Sequence, residues 1–391
     1  MKCLVEKIPV EPFHVFPKKA LFNKPLSRPV PEAVADMTVA YCPQSRHVSS
    51  FLRSDVSLED LKAKIYQELY AGFAPTGLSP LQKSYNEFVA KWIASVIPPK
   101  SKVLEIGCHD GYILHLLAKE GHSCIGVEPS PFADVARKEY GLDVRNEFFH
   151  SSQYAAESFD VLVMRHVVEH VDDPVEFVRD AARVLKPGGI LYIEVPNSHW
   201  SVEETFFPEF HIDHISYFTL PSLRRLLSLA GFGEVLHAEG ATAYMRFPFL
   251  NGLACKTTGK ALVHPPAYFF DFRIQNQIAA FPAAFARYLG NLRKLADGRK
   301  VAVWGTGSIG TQYAIDASWA AKDVTYVDPN PTNQRKYLSV TGHEVHAPDV
   351  IRDLAPDVVL IASGWENDVQ RQVQPFVTPK TKIMVFRDLL S

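Results

Sequence analysis

The residues best suited to chemistry concentrate in the stretch FHIDHISYF, residues 210–218, which places His211, Asp213 and His214 close together. An imidazole near neutral pKa suits proton abstraction, and a carboxylate beside it can fix its tautomer. The same donor types also hold metal ions. With His199, Glu203, Glu204 and Glu209 as the nearby candidates, however, no ligand spacing is diagnostic. In a third reading His214 only hydrogen-bonds the loop before LPSLRRLLSLAGF. Proton abstraction leads, a structural role follows, and no metal is expected.

Two glycine-rich turns offer binding chemistry. VLEIGCHDGYILHLL reads as strand, turn and helix, with Glu105, Gly107 and Gly111 at the turn. Gly107 lets the chain bend where a Cβ would clash, and Gly111 lets a ligand approach the backbone. The next strand ends at Glu128, placed to accept the hydroxyls of a ribose. The second turn, VAVWGTGSIGTQYAI, carries Gly305, Gly307 and Gly310, and its following strand ends at Asp328. Taken alone, that pattern is a dinucleotide fingerprint and suggests NAD.

The elements that position these residues alternate. KVLEIG, SCIGVEP, FDVLVMR and GILYIEVP are short apolar runs separated by helical stretches such as PVEFVRDAARVL. Such alternation predicts a doubly wound, mainly parallel sheet. A second alternating unit begins at Lys300 with KVAVWG, VTYVD, DVVLIAS and KIMVF. The chain therefore divides into an irregular, proline-rich segment (1–57), a helical lid (58–98), a first α/β domain (99–247), a helical connector (248–298) and a second α/β domain (299–391).

Composition bounds the rest. Of 391 residues, 47% are hydrophobic and 21% charged, as in ordinary globular chains, and the net charge of −2 gives no footprint for nucleic acid. No apolar run approaches the ~20 residues of a membrane helix, and the N-terminus lacks the apolar core of a signal peptide. Five dispersed cysteines do not form a disulfide framework. A cytoplasmic location is the default expectation.

VLEIGCHDG, Glu128, FDVLVMRHVVEHVDDP and RVLKPGGILYIEVPN together resemble the class I S-adenosylmethionine-dependent methyltransferases. The resemblance implies a Rossmann-like core in which Glu105, Gly107, His109, Asp110 and Gly111 hold the methionine portion and Glu128 the ribose. His109 stands where many members have glycine. Arg165 and His166 stand where the family commonly has two asparagines, and are expected near the donor or the substrate.

The second turn, followed by Asp328, Asn330, Pro331, Gln334 and Tyr337, resembles a narrower group, the nucleotide-sugar C-methyltransferases. In that group a Rossmann-like C-terminal domain encloses the substrate and needs no NAD. Members begin with a zinc module of two Cys-x-x-Cys pairs. Here the matching places read Cys3…Glu6 and Cys42…Ser45, so no zinc is expected and the cysteines should pack as small apolar residues. The family's Tyr-His-Glu-His-x-Ser-Tyr-Phe run aligns with residues 211–218, which makes His214 the general base, with His211 and Asp213 assisting. Tyr70, Asn197, Tyr217 and Arg246 are the expected substrate contacts. The implied reaction is C-methylation of a keto-sugar nucleotide. The rivals are O- or N-methylation of a small metabolite, and an NAD-dependent or non-catalytic protein using the C-terminal turn.

Overall fold

The computed structural model describes residues 1–22, 24–31, 33–53, 80–240, 248–257, 272–364 and 366–390. Its N-terminal segment is a sheet, not the irregular stretch its prolines suggest. β1 (Pro12–Ala20), β2 (Val34–Cys42) and β3 (His47–Arg53) pair antiparallel in sequence order. Prolines are compatible with this because β1 is an edge strand, and Pro17 lies in the register shift between Phe16 and Lys19. On β2, Ala35, Met37 and Val39 alternate along one buried face.

The central unit contains β4 (Lys102–Ile106), β5 (Ser123–Val127), β6 (Asp143–Arg145), β7 (Phe159–Arg165) and β8 (Leu185–Pro196). β9 (Ser216–Tyr217) belongs instead to the N-terminal sheet, where it pairs antiparallel with β3. The motif at 210–218 is therefore the seam between the two units. β10 (Phe232–Gly240) and β11 (Phe249–Lys256) complete a seven-stranded sheet in the order β10-β11-β8-β7-β4-β5-β6. β11 corrects the sequence reading. The stretch expected to open a helical connector is a strand inserted antiparallel between β10 and β8. Of the expected lid, the helix Pro80–Val96 is described, and residues 54–79 lie outside the described residues.

Local sequence fixes the helices that cover this sheet. In the helix Pro174–Ala182, the Asp173 side chain accepts from Glu176 N, proline opens the first turn, and Val175, Val178, Ala181 and Ala182 form the buried face. Thr219 caps the helix Leu220–Leu229 in the same way, with Ser222 reciprocating.

The C-terminal unit is a second parallel sheet of β12 (Val301–Trp304), β13 (Val324–Val327), β14 (Val345–His346), β15 (Val358–Ile361) and β16 (Lys382–Met384), in the order β14-β13-β12-β15-β16. It does not hang on a linker. A single apolar core joins Phe16 and Met37 of the first sheet, Phe206, Phe207, Phe210 and Tyr217 before and on β9, Phe281, Phe285 and Tyr288 of the helix Phe272–Lys294, and Val301 and Tyr326 of the last sheet. The α/β class with two parallel-sheet units is as the alternating pattern predicts.

Candidate active site

β4 has parallel neighbours on both sides, β5 and β7, and the connections run in opposite directions from it, so a crevice opens at its carboxyl end. Gly107 and Gly111 there have φ of 74° and 75°, a region L-residues disfavour. A Cβ on Gly107 would stand 2.5 Å from Val167 Cγ2. Glu128 Oε2 accepts from His109 N and Oε1 from Ser130 N, each at 2.9 Å. A carboxylate offers about four acceptor positions, so two remain, enough for a pair of vicinal hydroxyls. Glu105 Oε2 is buried with no hydrogen-bond partner. Burial pushes the Glu105 pKa up to about 8; Arg165 opposes the shift, and Asp110, Glu128 and Glu194 reinforce it. A cationic ammonium would supply the missing partner and restore the carboxylate. The residues thus fit S-adenosylmethionine. His109 turns its ring onto Phe132, with centroids 3.7 Å apart, and Asp110 accepts from Tyr112 N at the start of the next helix.

Arg165 is not available to a ligand in the way the sequence suggests. Its guanidinium donates to Glu194 Oε1 at 3.1 and 2.8 Å and to Asn86 Oδ1 at 3.2 Å. Glu194 is fully buried and also accepts from Tyr85 and Tyr192 hydroxyls at 2.6 and 2.8 Å. Although burial opposes ionisation, Arg165 and His166 hold the Glu194 carboxyl well below the usual range. His166 stands between two carboxylates, with Nε2 3.0 Å from Glu194 and Nδ1 3.4 Å from Glu169. Burial lowers its pKa, but these two carboxylates raise it to a net value of about 9.

The 209–214 loop carries the second group of candidate residues. It is pinned where Ile215 N donates to Glu169 O, Ser50 N to Ile215 O and Ser50 Oγ to His214 O. His211 Nδ1 bonds to the Asp213 carboxylate, and the His211 and His214 rings lie 3.8 Å apart. His170 packs on the other side of His214 at 4.7 Å, and its Nδ1 lies 2.8 Å from the Asp213 carbonyl oxygen. Burial, then the flanking His211 and His170, pushes His214 well below the usual histidine range. His211 is raised in spite of burial, because Asp213 is its neighbour. Burial lifts Glu209 to about 7.

The structure therefore brings His211, Asp213 and His214 together and adds Glu169 and His170, which the sequence does not mark as part of the site. They lie in a single turn, Val168–His170, whose side chains face the 209–214 loop rather than capping a helix. The sequence signal was their place just beyond the end of β7. Of the acids near His199, only Glu209 joins the cluster; His199 pairs with Glu203, and Glu204 with Arg387. Two expected substrate contacts are engaged elsewhere. Asn197 caps the helix Ser198–Glu203 by accepting from His199 N, and the buried Tyr217 donates its hydroxyl to His211 O. Tyr70 and Arg246 lie outside the described residues.

At the second glycine turn, Asp328 is largely engaged within its own loop. Oδ2 accepts from Thr306 N, Thr306 Oγ1 and Asn333 Nδ2, and Oδ1 from Asn330 N. Three of these donors crowd Oδ2 and one meets Oδ1, so at most one acceptor position remains, too few for both hydroxyls of a ribose. At the N-terminus, Cys3 and Cys42 are buried in the core with Cys3 Sγ 3.7 Å from Ser45 Oγ, while Glu6 turns its carboxylate to Arg225 at 2.9 and 3.2 Å.

The comparisons agree with this geometry over the central unit. Residues 79–237 match the model of a family described as a methyltransferase domain. Over these residues the chain is thus similar to methyltransferase domains. The chain is 30% identical over 132 residues to a ubiquinone biosynthesis O-methyltransferase of Parvibaculum lavamentivorans, covering 32% of this chain and 52% of that protein. It is 31% identical over 134 residues to a probable S-adenosylmethionine-dependent methyltransferase of Mycolicibacterium smegmatis, covering 33% and 51%. The chain thus spans about half the length of the curated relatives it matches. Among solved structures it is similar to a methyltransferase of Thermotoga maritima described as a possible histamine N-methyltransferase, with a TM-score of 0.36 and 23% identity over 45% of this chain and 91% of that one. Among the described residues, no helix is long and apolar enough to cross a membrane.

Proposed function

We propose that this chain transfers a methyl group from S-adenosylmethionine to a small molecule that must become an oxyanion to react. The half-filled Glu128 carboxylate carries the reading, together with the buried Glu105 oxygen that lacks a partner. When bound, S-adenosylmethionine supplies an electrophilic methyl group. Glu105 would meet the ammonium of its methionine portion, the left-handed turn at Gly107 and Gly111 packs closely on Val167, Ala136 and Leu142 between the two acids, and Glu128 would take the ribose hydroxyls. His166 links this side, through Glu169, to the cluster of His211, Asp213 and His214, against which the acceptor lies.

C-methylation of a keto-sugar nucleotide remains the finer reading. It is supported by the 211–218 motif and by a C-terminal domain whose core is continuous with the site loop. A carbon next to a ketone reacts as its enolate. O-methylation is favoured by the names of the relatives and would pass through an alkoxide or phenolate. Both require negative charge on an oxygen near the histidines. Calorimetry of the purified chain with S-adenosylhomocysteine, NAD and a panel of thymidine and uridine diphosphates tests the proposal. Binding of S-adenosylhomocysteine and of a nucleoside diphosphate is expected. Binding of NAD without S-adenosylhomocysteine would overturn it.

A further inference from the structure

The hydrogen bonds at the acceptor side leave particular atoms without partners. The Asp213 carbonyl can only accept, so the His170 Nδ1 that meets it carries the proton and Nε2 keeps the lone pair. His211 directs its own Nδ1 to the Asp213 carboxylate, which leaves its Nε2 as the outward donor atom. A histidine that gives one ring nitrogen to a carboxylate or carbonyl and presents the other is in the arrangement seen around metal ligands.

The carboxylates supply a second, independent observation. Glu169 is 1% exposed, and neither of its oxygens accepts a hydrogen bond; its nearest cation is His166 Nδ1 at 3.4 Å. Glu209 Oε1 is likewise buried without a hydrogen bond, 3.7 Å from His214 Nδ1. Leaving such an oxygen unpaired in the interior is unfavourable, and a cation beside it removes the penalty.

One donor atom each from Glu169, His170 and His214 lies within 4.8 Å of the other two, and the same holds for Glu209, His211 and His214. Ligands about 2.0–2.2 Å from a common ion fit within such separations.

We infer that Glu169, His170 and His214 bind a divalent first-row transition ion, with Glu209 and His211 in the adjoining group that shares His214. Mixed imidazole and carboxylate donors favour zinc, iron, cobalt or manganese over calcium. The inference deepens the functional reading and rests on it for the role of the ion, which offers positive charge to the acceptor oxygen as it ionises. It reverses the sequence expectation of no metal, and it uses the His214 lone pair for the ion instead of a proton.

The test strips the full-length protein with a chelator, reloads it with cobalt(II) or zinc(II), and measures bound metal by mass spectrometry and calorimetry. One equivalent of ion is expected, with a ligand-field spectrum for cobalt. Glu169→Gln, a near-isosteric change, and His214→Ala should each weaken binding by at least about 10- to 100-fold, the loss already seen when groups that only support metal ligands are altered. A native circular-dichroism spectrum and a cooperative thermal unfolding transition for Glu169→Gln would show that the fold is intact. A Cys3→Ser/Cys42→Ser double variant should keep the ion. Substoichiometric metal after reloading, or an ion lost from the cysteine variant but kept by both others, would overturn the inference. An ion bound with no affinity for S-adenosylhomocysteine would sink the functional reading and leave the ion site standing.

Discussion

Replacing Glu128 by glutamine tests the donor site most directly. In the native chain each carboxylate oxygen already holds one backbone N–H, from His109 and from Ser130, and has one acceptor position left. Glutamine keeps one carbonyl oxygen and turns the other into an NH2 group. Whichever way the amide faces, one backbone N–H then meets a donor, and one ribose hydroxyl loses its acceptor. Hydrogen bonds to a charged group are worth about 1.5–3 kcal/mol each. Losing one outright and weakening the other by removal of charge should cost about 2–4 kcal/mol, roughly 30- to 1,000-fold in affinity. Calorimetric titration with S-adenosylhomocysteine reads this directly, and thermal unfolding of the free variant checks that the fold persists. A folded Glu128→Gln variant whose affinity stays within about threefold of the native chain would show that the ribose is not held at this residue.

Further outcomes follow from the same geometry. Asp328→Asn should lower stability by about 1–3 kcal/mol, because an amide cannot accept from all the donors now gathered on that carboxylate, while S-adenosylhomocysteine affinity stays unchanged; a parallel loss of affinity would contradict the separation of the two glycine turns. Arg165→Met should destabilise by about 3–5 kcal/mol in urea unfolding, since it leaves the buried Glu194 without its main cation; a neutral result would mean that His166 and the two tyrosines suffice. His47 is fully buried, and burial, with Lys7 as a minor contributor, pushes its pKa down to about 3. The unfolded chain takes up this proton near pH 6.5, so stability is whole above that and falls as pH drops toward 3. A His47→Gln variant should recover about 2 kcal/mol relative to the native chain between pH 7 and pH 5, read as the change in their unfolding midpoints; an unchanged gap would refute the assignment.

Much of the central unit was legible in the sequence. The run from KVLEIG to GILYIEVP shows buried parallel strands through continuous apolar runs, and Glu105, Gly107 and Glu128 announce themselves at strand ends because that is where an open α/β sheet presents its turns. The N-terminal sheet was hidden, because proline content reads as irregularity unless one knows that β1 is an edge strand with a bulge at Pro17. β11 was hidden for a related reason. Its antiparallel insertion between β10 and β8 depends on pairing partners distant in the chain, not on local pattern.

The acceptor side divides the same way. Sequence alone placed His211, Asp213 and His214 within one loop and so proposed proton chemistry. It could not show that Glu169 and His170 arrive from the end of β7, or that Asp213 takes one nitrogen from each of two histidines. Nor could it show that Arg165 and Asn197 are already committed to Glu194 and to a helix cap. Residue type and local spacing determine which groups can do chemistry. Which of them remain free to do it depends on the hydrogen bonds that burial compels each polar group to find, and those are settled only when distant segments pack together.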